Sequence, residues 1–387
     1  MPLGLRTPVW LIAALAGAIC VATGALPWHD AVSTTDRVGP ILGFLVAITV
    51  VAELADAASV FDVAAVRAAR IARGHTRRLF FFVLALGTCT TIVLSLDTTA
   101  VLLTPVVLAL AARLRISALP FAMAAVWLAN TASLLLPVSN LTNLLAVARL
   151  RTSAFEFASR MWLPAIAAVA VTAVVLSVAY RRDLRGRYQV PELLDVEDRF
   201  LLRVSAVVCV VVAPFFVTGI PVWITATVAA VVLVVLFAFR SPRRLRMSLI
   251  PWRLVLLVEG LFLFIATLGI HGLDTLLGHL AGHDGSALGV LRTAGAGAGA
   301  SNLANNLPSY LALERVADGR HDQVFGLLLG TNLGPLILLW GSLATLLWRE
   351  RCKARGVRIS AWEFARVGLI GVPILLLTSW GCLLATR

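Results

Sequence analysis

The chain reads as an all-α polytopic membrane protein: an inverted-topology repeat with two re-entrant hairpins and two broken helices. Three observations predict this. Its 387 residues are 60% hydrophobic and only 14% charged, and several apolar runs reach the roughly 20 residues that span a bilayer as helix. Two segments, Asn130 to Leu145 and Asn332 to Leu347, read alike and are each interrupted by small, amide or hydroxyl residues. The Arg residues gather in short loops between apolar runs, as orientation signals do.

Taken in order, the runs place spans near 9–27, 39–66, 119–149, 160–180, 200–217, 221–239, 252–273, 323–348 and 363–384. Residues 9–27 lack a small-residue cleavage site and more spans follow, so they read as a first membrane helix, not a leader. The regions 79–114 and 287–316 are too long for one span and polar at their centres, so each reads as a hairpin entering and leaving on one side. Basic clusters follow the second span (Arg67, Arg70, Arg73, Arg77, Arg78), the fourth (Arg181, Arg182, Arg185, Arg187), the sixth (Arg240, Arg243, Arg244, Arg246) and the eighth (Arg349, Arg351, Lys353, Arg355, Arg358). With the N-terminus in the cytoplasm and both hairpins re-entrant, all four fall inside. Counting either hairpin as one crossing would put later clusters outside.

The order of elements then repeats. Residues 1–180 form a first repeat with its cytoplasmic-side hairpin at 79–114. A linker with one span covers 181–220, and 221–387 form the second repeat with an outer-side hairpin at 287–316. Four spans plus the linking one make an odd number, so the second repeat enters the membrane inverted. Carriers built this way hold substrate near the midplane, where broken helices meet.

Backbone freed inside a bilayer must line a cavity or be buried in protein. The first hairpin turns at Leu96-Asp97-Thr98-Thr99 and the second at Ala304-Asn305-Asn306, just after Asn302. The broken segments carry Asn130 with Ser139, Asn140, Thr142 and Asn143, and Asn332 with Ser342 and Thr345. Four polar apices meeting at the midplane would form one substrate cavity of amides, hydroxyls and free backbone. The competing reading is that these side chains tie helices together, as polar residues in membranes often do. Asp97 stands out, because a carboxylate at membrane depth is costly and marks a functional position. Its desolvation would suit binding and releasing a proton. Glu53 and Glu259, at comparable places in the two repeats, are further proton-coupling candidates; a helix-pairing role competes for both. Asp56, Asp62 and Asp274 fall nearer helix ends, and His271 and His283 in an outer loop.

The sequence excludes several classes. No zinc-protease, serine-hydrolase or phosphate-loop motif is present. The Gly-Ala run at 294–300 has no Lys and reads as close helix packing. The five Cys have no ligand-like spacing, so neither a metal site nor a cofactor is expected. The net charge of +13 lies in loops between spans and implies a lipid bilayer, not nucleic acid, as the partner.

Together Leu96 to Pro105, Asn130 to Asn143, Ser301 to Pro308 and Gly341 to Trp348, with the helix around Glu53, resemble the arsenite/antimonite permeases of the ArsB type. These belong to the wider ion transporter superfamily. The resemblance implies arsenite or antimonite efflux driven by inward proton flow, and elevator-like alternating access. It also implies a homodimer formed through a scaffold part and an optional soluble ATPase subunit in a bacterial plasma membrane. Two positions depart from it: Leu96 stands where the family has Asn, and the second break is preceded by Gly330-Thr331-Asn332. Sodium/proton antiport and dicarboxylate symport remain the alternatives within the superfamily. Asp97 favours a neutral hydroxylated solute or a cation over an anion, and buried tips on both sides argue against an open channel.

Overall fold

The computed structural model describes residues 9–273, 286–315, 317 and 321–386. Asp274 and His283 lie outside the described residues. The regular structure of the described chain is helical, apart from one isolated bridge between His75 and Arg187. Seven of its helices are long and apolar enough to cross a membrane.

The first half contains α1 (Val9–Ala22), α2 (Trp28–Ala57) and α3 (Val60–Ile71). A hairpin follows, made of α4 (Thr76–Leu94) and α5 (Leu96–Arg113), then α6 (Leu119–Thr131), α7 (Leu141–Leu150) and α8 (Ala154–Ala179). After the single helix α9 (Arg199–Phe215) the order recurs: α10 (Val222–Arg240) and α11 (Trp252–Leu268). The second hairpin is α12 (Ala287–Ala304) with α13 (Asn306–Glu314). It is followed by α14 (His321–Leu333), α15 (Leu343–Ala354) and α16 (Ala361–Ala385).

Packing follows a pseudo-twofold pattern. Helix α1 lies along α11 while α10 lies along α2, so the first helix of each half pairs with the second helix of the other. Helix α4 packs on α6 as α12 packs on α14, and α8 meets α16 at the centre of the pattern. Small residues permit the closest crossings. A Cβ at Gly330 of α14 would come within 2.1 Å of the Ala294 carbonyl oxygen of α12. Gly297 on the Gly-Ala run is also enclosed, less tightly, with a Cβ there 3.0 Å from the Leu327 side chain, whereas Gly295 and Gly299 face open space.

One span differs from the sequence expectation. Residues 39–66 are not one helix: α2 starts at Trp28, and the chain breaks at Ser59 in a left-handed conformation (φ 63°) before the amphipathic α3. Ala and Val continue across that break, so hydropathy alone does not register it.

The four basic clusters meet at one end of the molecule. The Tyr188 amide donates to the Gly74 carbonyl, and Arg70 donates to the Pro191 carbonyl. Arg244 donates to the Ala57 carbonyl and pairs with Glu197, while Arg351 and Arg355 face Glu53, Asp56 and Asp62. This is the arrangement positive-inside topology requires.

Candidate substrate cavity

Both hairpins turn through the same unusual backbone. Ser95 (φ 99°, ψ 163°) and Asn305 (φ 81°, ψ 154°) occupy a region that is essentially reserved for glycine. Each such residue costs about 1–3 kcal/mol and persists only where surrounding contacts fix it. Two non-glycine residues in nearly one conformation, at matching hairpin turns, mark these tips as built features.

The first tip is held mainly by hydroxyls. Thr91 and Thr99 share a hydrogen bond of 2.8 Å, Thr98 donates to the Leu94 carbonyl at 2.8 Å, and Ser139 donates across to the Ile92 carbonyl at 2.9 Å. A π-helical turn at Thr99–Leu103 follows, as such turns do at functional sites. Asp97 is half-buried and has no hydrogen-bond or ion-pair partner among the described residues. With Thr98 it lines a cavity of about 1180 Å³ at the basic end, shared with Glu53 and Thr49 of α2, Arg253 of α11 and Glu350 of α15.

The second tip is clamped. The Asn302 side-chain amide donates to the Gly334 carbonyl (2.7 Å) and its oxygen accepts from the Leu338 amide (3.0 Å). The Trp340 indole donates to the Asn302 carbonyl (2.8 Å), and Asn305 donates to the Trp340 carbonyl (3.0 Å). Asn306 is buried beside it.

The broken helices meet through a closed amide cluster. Asn332 Oδ1 accepts from Asn140 Nδ2 (2.6 Å) and from the Thr142 hydroxyl (3.1 Å), while Asn332 Nδ2 donates to Asn143 Oδ1 (3.1 Å). Asn143 Nδ2 in turn donates to the Ser133 and Leu136 carbonyls. Asn130 Nδ2 donates to Val126 within its own helix, and its Oδ1 is buried without a partner. The second segment of each broken helix starts with a capping side chain: Asn140 accepts from the Thr142 amide and Ser342 from the Thr345 amide. The Ser342 and Thr345 hydroxyls are 2.8 Å apart.

The structure therefore divides the sequence candidates into two sets. Asp97, Thr98 and Glu53 share the large cavity. Asn140, Thr142, Asn143 and Asn332 bond one another, and Asn302 and Asn305 bond the second break. Glu259 does not line the large cavity; its Oε1 accepts from the Thr35 hydroxyl of α2 at 2.6 Å and its Oε2 is buried without a partner. Among the described residues no cluster of His, Cys, Asp or Glu is arranged to hold a metal ion. A second, smaller cavity of about 350 Å³ lies at the opposite end and carries a pair absent from the sequence reading, Arg37 with Glu314. Its signal was present: an Arg at the start of an apolar helix and a Glu ending a hairpin arm.

Comparison with known proteins agrees with this architecture. Residues 5–345 match the citrate transporter family CitMHS. The chain is 31% identical over 395 residues to the arsenical pump membrane protein of Yersinia enterocolitica, and 30% identical over 392 residues to that of Escherichia coli K12. Each alignment covers 95% of this chain and 91% of the relative. The Alcanivorax borkumensis YdaH transporter, whose topology is described as unusual, superposes with a TM-score of 0.61 at 12% identity. That alignment covers 97% of this chain and 96% of the other, and speaks to fold alone. The chain is thus a multi-pass membrane transporter that belongs to the CitMHS family and to the family of the arsenical pump membrane proteins.

Proposed function

We propose that this transporter exports trivalent arsenic and antimony as neutral hydroxylated species in exchange for protons, with Asp97 and Glu53 carrying the coupling. One observation carries the reading: the cavity at the basic end presents Asp97, a carboxylate with no partner among the described residues, beside the Thr98 hydroxyl. An unneutralised carboxylate repels an anion but accepts hydrogen bonds from a hydroxylated neutral solute, and a proton arriving there releases it. The relatives named arsenical pump membrane proteins support the same substrate.

On this reading α1, α2, α10 and α11 form the scaffold, and the two hairpins with the broken helices move against it as an elevator, carrying the cavity between faces. The amide cluster around Asn332 is then the rigid centre of the moving part, not a ligand shell. The N-terminus lies in the cytoplasm of a bacterial cell, the protein works as a homodimer, and the basic end is where a soluble ATPase subunit would dock.

Sodium/proton exchange is the second reading, because a bare carboxylate also suits a cation; dicarboxylate symport is third. The test is As(III) uptake into everted membrane vesicles holding an acid interior. Uphill uptake that collapses with an uncoupler supports arsenite/proton exchange. Absence of As(III) uptake, with proton movement on adding sodium, overturns it in favour of the second reading.

A further inference from the structure

The two cavities lie at opposite ends and differ in size and in the contacts that close them. At the smaller one a charged pair joins the hairpin arm to the scaffold helix. Arg37 of α2 donates to Glu314 Oε1, the last residue of α13, at 2.6 Å. The Glu314 side chain is only 3% exposed, while that of Arg37 is 38% exposed. Both residues line the small cavity with Leu311 of α13 and Phe262 and Ile265 of α11, which pack over it.

Other charged and titratable groups stand near the pair. Tyr310, one turn back on α13, lies against Glu314, and Arg37 and Arg149 of α7 both lie near Tyr310. Asp30 of α2 and Arg315, next along from Glu314, also stand on the cavity wall. Arg37 makes the 2.6 Å ion pair with Glu314. A buried carboxylate separated from its cation is strongly disfavoured, so the arm stays against α2 while the pair is intact.

At the basic end Arg351 of α15 faces Glu53 and Asp56 of α2, but among the described residues no ion pair joins the first hairpin's own arm to the scaffold. Counting from the strained turn residue, the ninth position beyond Asn305 is Glu314, and the ninth beyond Ser95 is Thr104. Thr104 is fully buried and directs its hydroxyl to the Thr99 carbonyl of its own arm. The cavity there measures about 1180 Å³ against about 350 Å³ at the other end.

We propose that the Arg37–Glu314 pair is a latch that holds the small-cavity end shut, and that its separation is a required step in opening that end. The latch follows from the asymmetry of the ends and stands whether the cargo is arsenite or a cation. It does rest on the cavity opening alternately to the two faces.

The experiment uses a full-length variant whose five native cysteines are replaced by serine, carrying Leu311→Cys on the wall of the small cavity or Leu346→Cys on that of the large one. Both are labelled with a membrane-impermeant maleimide from each face, in whole cells and in everted vesicles. Arg37→Gln and Glu314→Gln should each speed labelling at position 311 by about fivefold or more and slow it at position 346, as a population shift between two states requires. The charge-swapped double variant Arg37→Glu with Glu314→Arg should return both rates towards those of the parent. Unchanged labelling at position 311 would overturn the proposal. So would faster labelling at both positions, which means loosening and not a switch, or a swapped pair that behaves like the single variants.

Discussion

The two hairpin tips share a backbone and differ in everything attached to it. Ser95 and Asn305 turn the chain with nearly equal dihedrals. Beyond the first turn stands a carboxylate that has no partner among the described residues, facing a cavity of about 1180 Å³. At the second, two asparagines and an indole join tip to broken helix through four hydrogen bonds. Symmetry of fold thus coexists with a difference in contacts: one tip faces an open cavity, the other is anchored.

The largest effect expected from breaking that difference is at the open tip. Asp97→Asn keeps size and shape and removes the charge, so proton-driven As(III) uptake should fall at least about 100-fold, the low end of what a positioned proton-transfer group contributes. Glu53→Gln tests the second carboxylate of the same cavity, and Glu259→Gln, bonded to Thr35 instead, should cost less. Comparing initial uptake rates in the three variants orders them.

Next in size is the amide cluster. Asn332→Ala leaves the Asn140 amide, the Thr142 hydroxyl and the Asn143 oxygen without their partner. At about 1–3 kcal/mol for each buried unsatisfied group, the purified variant should lose several degrees of melting midpoint. A midpoint equal to that of the parent would refute a structural role for the cluster.

Smaller still is relief at the turns themselves. Ser95→Gly removes backbone strain of about 1–3 kcal/mol and forfeits only weak hydroxyl contacts, so it should stabilise. Asn305→Gly relieves the same strain but loses the bond to the Trp340 carbonyl, so its net gain should be lower. Equal melting shifts in the two variants would show that the second tip is not clamped by its side chain.

The smallest effect serves as a control on carboxylates outside the membrane. Asp198 caps α9 by accepting from the Phe200 and Leu201 amides, and its carboxyl is held below the usual range, chiefly by the Arg240 hydrogen bond. A depressed folded-state value means the stabilisation is present above the unfolded pKa and fades as pH falls through the folded one. Below about pH 4, the unfolded carboxylate range, Asp198→Asn should therefore lose less stability than the parent, with As(III) uptake at neutral pH unchanged.

These contrasts also show what could be read in the residues. Hydropathy and arginine placement gave the hairpins and the broken helices, because both report directly on the bilayer. They placed the first turn at Leu96 to Thr99, one step past Ser95, since nothing in a serine announces a glycine-like backbone. The amides at Asn130, Asn140, Asn143, Asn302 and Asn332 were visible as a set. Whether an amide faces a ligand or another amide depends on side-chain direction, which composition does not carry, and the structure turns several of them towards each other. The Arg37–Glu314 pair joins positions 277 apart in the chain, a separation that local patterns cannot bridge.

The most direct test of the open-tip account compares two assays on one variant, Asp97→Asn, reconstituted in liposomes. Exchange of As(III) between equal concentrations inside and outside needs only the binding cavity, whereas accumulation against a gradient also needs the proton. The account predicts that exchange persists in the variant while proton-driven accumulation is lost. A variant that still accumulates As(III) as the parent does would contradict it.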